Sequence, residues 1–176
     1  ASVKYVKSII RDLYLSDRGD VSTVILFGHI PIPYSGCAAY DCHPEEVGAW
    51  QADLYYGSMN EEIWTDSFVN RTGTLRMENI NIPGDGRFDM TVLPPNEMIK
   101  LQIGRIDLSR MPAFQESESA LLKRYLDKNH AFRHKVISPD LKALIDDKLG
   151  WYGGDAQSLV GWRNFIPLLN FSNVKT

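Results

Sequence analysis

An unbroken apolar run, Val24 to Phe27, opens straight into Gly28-His29 and a loop punctuated by Pro31, Pro33 and Gly36. An apolar run without alternation predicts a strand buried on both faces of a parallel sheet. Its exit into a polar, proline-stiffened loop places chemistry at the carboxyl edge of that sheet, where open α/β folds bind ligands. Upstream, Val3, Val6, Ile9, Ile10, Leu13 and Tyr14 recur at helical spacing and predict a helix over Ser2 to Leu15 with one buried stripe. Ser16 to Gly19 breaks it.

A second strand is predicted over Glu97 to Ile106, where Ile99, Leu101 and Ile103 alternate with Met98, Lys100 and Gln102. It ends at Gly104-Arg105-Ile106-Asp107, which puts a cation and an anion at a strand terminus. They either pair with each other or meet a ligand, and the structural pairing is favoured. From Glu116 to Phe132 the spacing is helical again, with Leu121, Leu122, Tyr125 and Leu126 as the stripe and Ser117 or the Glu116–Glu118 pair at its start. Helix, strand, strand, helix predicts an α/β fold with a largely parallel sheet.

Between these elements the pattern is less regular. Trp50, Tyr55 and Tyr56 in GAWQADLYYG read as core or as pocket wall, and Asp53 among them is either paired or functional. Leu75, Met77, Ile80 and Ile82 suggest a short exposed hairpin in the excursion from Asn60 to Ile82. Pro83 to Asp89 reads as a tight turn in which Gly84 and Gly86 supply positive φ. Asp85 and Asp89, with a backbone carbonyl, are candidate calcium ligands, although the spacing is not that of an EF-hand and a plain turn is favoured. Ser138 to Gly150 fits a helix or a short strand at Leu141 to Ile145.

Composition changes the picture only by exclusion. The chain has 176 residues, 44% hydrophobic and 23% charged, with a formal net charge of -3. That suits one globular domain over residues 1–176, or the first part of one. No stretch concentrates Lys and Arg, so nucleic acid is set aside as a partner. No apolar run reaches the ~20 residues of a membrane span. The start at Ala1 fits a processed protein or an excised fragment.

Candidate chemistry clusters in the loop from Pro31 to Asp53, with His29 at its entrance: His29, Asp41, His43 and Asp53 are the candidate binding residues. Cys37 and Cys42, the only cysteines, read first as a disulfide stapling this loop, which implies an oxidising compartment. The sharper alternative makes Cys42 a nucleophile with His29 as its base. His130 and His134, four apart, suit a metal pair less well than a solvated helix end.

The order ILFGHIPIP, ADLYYG, LQIGRID and ESESALLKRYLDKNHAFRH resembles the first half of the gingipain-type, caspase-like cysteine peptidase domain of secreted bacterial proteins. The resemblance spans Val21 to Arg133. Its most specific piece is the strand ending in Gly-Arg-Ile followed by a helix with Glu118 and Tyr125. It implies a mostly parallel, Rossmann-like sheet flanked by helices, an incomplete domain, secretion or cell-surface display, and a peptide or protein substrate or a surface partner. In that family a histidine followed by glycine and a cysteine on later strands perform hydrolysis. Here the histidines precede Ile30, Pro44, Ala131 and Lys135, and neither cysteine directly follows a buried strand. No catalytic residue carries over. The competing expectation is a non-catalytic extracellular binding module, stapled by the disulfide and stabilised by calcium.

Overall fold

A computed structural model describes residues 1–17, 20–39, 43–138, 140–144 and 164–175. The chain divides into two compact units, Ala1–Leu122 and Lys123–Thr176. The first is mixed α/β. Ser2 caps α1 (Val3–Ser16) by accepting the Tyr5 N–H at 3.1 Å. β1 (Thr23–Phe27) follows, then β2 (Tyr34–Ala38), β3 (Gly48–Gln51), the single-turn α2 (Leu54–Gly57) and β4 (Gln102–Ile106). α3 (Glu118–Arg133) begins under the hydroxyl of Ser117, which accepts the Ala120 N–H. In the second unit β5 (Ala143–Leu144) pairs in parallel with β6 (Val174–Lys175). For the described part of Ser138 to Gly150, the strand alternative is the one observed.

β1 and β4 lie side by side in parallel, Thr23 opposite Gln102 and Phe27 opposite Ile106. The two strands read most clearly in the sequence are therefore partners, although 74 residues separate the end of one from the start of the other. The ladder starts late in the predicted second strand, because the N–H groups of Lys100 and Leu101 go to the carbonyl of Gly57.

Three expectations need correcting. β1 is half-buried rather than buried on both faces: Leu26 is 5% exposed, whereas Ile25 is 63% and Phe27 39%. Among the described residues β4 is its only strand partner, and the face that carries Ile25 and Phe27 stays largely exposed. The excursion forms no hairpin; a turn of tight helix at Met77–Asn79 and a single bridge between Arg71 and Asn81 replace it. The stretch read as one long loop after β1 contains β2 and β3, an antiparallel pair with an irregularity between Ser35 and Ala38.

The core of the first unit is aromatic. Tyr55 stacks at 4.4 Å on Phe88 and meets Trp64 edge-on at 5.2 Å, with Ile10, Leu26, Tyr56 and Leu101 closing round them. The aromatics of the GAWQADLYYG segment therefore divide: Tyr55 and Tyr56 are core, and Trp50 sits half-buried at the surface. Lys7, on the stripe side of α1, is 1% exposed. Its ammonium donates to the carbonyls of Tyr56 and Ser58 at the end of α2 and lies 5.4 Å from the Tyr55 ring.

Burial pulls the Lys7 ammonium down from 10.5 to about 8. Burial pushes the Tyr56 phenol up from 10.0 to about 12. Between pH 8 and 10 the folded chain has released the Lys7 proton while the unfolded chain still holds it, so stability rises with pH. Above pH 10 the unfolded tyrosine ionises first and stability falls. Urea midpoints measured across this range are expected to peak near pH 10, and Lys7→Met is expected to remove the rising limb.

Candidate functional site

Backbone rules build the site at the carboxyl edge of β1 and β4. Gly28 continues the ladder by donating its N–H to the Ile106 carbonyl at 2.9 Å, then turns the chain with φ +93°, a conformation that favours glycine. The turn brings His29 over the end of β4. There, Asp107-Leu108-Ser109 closes an Asx turn, the Asp107 Oδ1 accepting the Ser109 N–H at 2.8 Å. His29 Nδ1 lies 2.9 Å from Asp107 Oδ2 and 2.9 Å from Ser109 Oγ.

A carboxylate only accepts, so the proton sits on His29 Nδ1 and the second ring nitrogen, Nε2, keeps its lone pair. The Ser109 hydroxyl, aided by its own N–H and by His29 and opposed by burial, holds the Asp107 carboxyl down to about 2. Asp107 therefore stays an anion beside the imidazole throughout the physiological range. The His29 side chain is 56% exposed, and no group among the described residues is bonded to its Nε2. This is a histidine oriented by a carboxylate, with its basic nitrogen facing outward, the arrangement a general base requires. It is not a relay triad, because Ser109 and Asp107 meet the same nitrogen and no nucleophile among the described residues is bonded to the other.

Two residues before Asp107, Arg105 fixes the loop that carries His29. Its Nε and Nη2 take both oxygens of Asp53, at 2.7 and 2.8 Å. The rest of the guanidinium donates to the carbonyls of Ile30 and Pro31. Tyr56 Oη adds a bond to the same Pro31 carbonyl at 2.7 Å. The anticipated partnership of Arg105 with Asp107 is replaced by two separate pairs, Arg105–Asp53 and His29–Asp107.

The other candidate residues fall elsewhere. His43 pairs with neighbouring Glu45 at 3.4 Å on the surface. Asp41 and Cys42 lie outside the described residues, and with Cys42 lies the expected disulfide; Cys37 is exposed. Asp85 and Asp89 organise backbone. Asp89 is 3% exposed and accepts the N–H groups of Ser67, Phe68 and Val69 at 2.7, 3.2 and 2.8 Å. Burial pushes its carboxyl up, but those N–H groups and the Thr65 hydroxyl prevail and lower it. Asp85 takes the N–H groups of Ile82 and Arg87 and an ion pair with Arg87 at 3.0 Å. Gly84 and Gly86 adopt φ +83° and +89°, as a turn of this composition requires, and give their N–H groups to Asp66. Among the described residues no three His, Cys, Asp or Glu side chains are grouped to hold a metal ion. His130 and His134 stack at 4.2 Å at the exposed end of α3.

Ser109 is the site residue that sequence reading missed. The signal was an Asp-x-Ser following a strand, a turn whose side chain and backbone both serve the preceding carboxylate. No family model, no curated protein and no solved structure matches the chain. No helix among the described residues is long and apolar enough to cross a membrane.

Arg105→Lys keeps the charge but loses the fork that holds Asp53 and two carbonyls at once. Chemical denaturation is expected to show a loss of about 1.5–3 kcal/mol, the scale of a hydrogen bond to a charged group. A loss near zero would mean that the loop is held by other contacts.

Proposed function

We propose that the chain is an α/β module of a gingipain-like, caspase-like peptidase-related protein, secreted or displayed at the cell surface. In this reading its own residues supply the sheet and the edge that meets substrate, while the hydrolytic histidine and cysteine come from later strands. The observation that carries it is the parallel register of β1 with β4. It makes LFGHI and IGRID leave the sheet at one edge, with His29, Asp53, Arg105 and Asp107 gathered there. That is the edge at which parallel α/β sheets bind ligands.

A non-catalytic extracellular binding module is the second reading. It draws support from the half-buried Trp50 on the β2–β3 pair, on the opposite side of Asp53 in sequence from α2. Its calcium-stabilised form draws none from Asp85 and Asp89, whose oxygens are taken by N–H groups.

The native protein, purified from its source, is tested on a peptide library with and without iodoacetamide, and its intact mass is measured. The peptidase reading predicts iodoacetamide-sensitive cleavage by a polypeptide heavier than 20.0 kDa, and no cleavage by residues 1–176 alone. A native mass of 20.0 kDa without cleavage overturns it in favour of the binding module.

A further inference from the structure

Away from the sheet edge, the β2–β3 pair and the tight turn at Met77–Asn79 enclose an open cleft of about 420 Å³ lined by Tyr34, Trp50, Gln51, Arg76, Glu78 and Asn79. We propose that this cleft binds a neutral sugar ring, packed against the aromatic side chains and hydrogen-bonded through the amides of Gln51 and Asn79.

The volume falls within the range of small-ligand sites, which combine apolar walls with a few placed polar groups. Trp50 is held rigidly for such a role, its indole N–H donating to the Ala38 carbonyl at 2.7 Å. A fixed ring offers sugar C–H groups a preset apolar wall and loses little entropy on binding. Asn79 is 3% exposed, and its Nδ2 is anchored to the Glu46 carbonyl at 3.2 Å. Its Oδ1 accepts no hydrogen bond among the described residues, which leaves a preset acceptor in the cleft wall.

The charges point away from an anionic ligand. Arg76 is paired with Glu46 at 2.9 Å and lies over the Trp50 ring, while Glu78 adds a further negative charge. Vicinal hydroxyls, which both donate and accept, match the mixture of amide and carboxylate. A second, smaller cleft of about 220 Å³ shares Trp50 and Gln51 and is walled in part by Trp64, whose buried indole N–H meets no acceptor among the described residues.

The test is a titration of the folded chain with methyl α-glucoside, methyl α-mannoside, methyl β-galactoside and N-acetylglucosamine, followed by the indole N–H signals of the tryptophans in NMR. At least one sugar is expected to saturate in the millimolar range, with the Trp50 signal moving most. Gln51→Ala, a change at an exposed position, is expected to weaken that binding about tenfold, the equivalent of one hydrogen bond. Three results overturn the proposal: no shift with any of the four sugars, unchanged affinity in Gln51→Ala, or movement of the same signals only with proline-rich peptides.

Discussion

The guanidinium of Arg105 is the interaction on which the sheet edge depends. The segment after β1 contains Pro31 and Pro33, which have no N–H to offer, and its carbonyls need donors from elsewhere. Arg105 supplies them from the neighbouring strand, and its remaining donors take the Asp53 carboxylate at the start of α2. One side chain thus ties β4, the loop after β1 and the entrance of α2 into a single corner. A planar, permanently charged fork suits the task; a point charge on a flexible stem does not.

The same economy of buried polar groups runs through the first unit. Lys7 closes the carbonyls at the end of α2, Asp89 gathers three successive N–H groups from Ser67 to Val69, and the 0%-exposed Asn81 donates to the carbonyls of Gly36 and Phe88. Each tie draws a stretch of irregular chain on to the Tyr55–Trp64–Phe88 cluster. With only short strands available, side chains bonded to backbone supply the cross-links that a larger sheet would make between strands. Removing one partner of such a tie leaves a buried group unsatisfied, which costs more than the bond itself contributes.

The regular elements were legible wherever periodicity was strong. α1, α3 and β1 lie where the apolar pattern put them, β4 occupies the second half of its predicted span, and Ser117 and the two turn glycines play the parts their chemistry suggested. β2 and β3 were not legible, because Tyr-Ser-Gly-Cys-Ala offers no alternation and its pairing is irregular. The burial of Lys7 escaped notice because a charge on an amphipathic stripe reads as solvated until its carbonyl partners, about fifty positions along the chain, come into view. The site was half legible. His29 and Asp53 were singled out by their surroundings, but their partners, Asp107 and Arg105, are 78 and 52 positions away, and only the parallel register brings them together.

The central claim is that this register presents His29 as an oriented base, its Nδ1 proton committed to Asp107 and its Nε2 open. The nitrogen-15 spectrum of the neutral His29 ring in the folded chain reads this directly. The account predicts a protonated Nδ1 and a pyridine-type Nε2, with the assignment lost in Asp107→Asn. A protonated Nε2, or a ring averaging freely between the two tautomers in the unmodified chain, would contradict it.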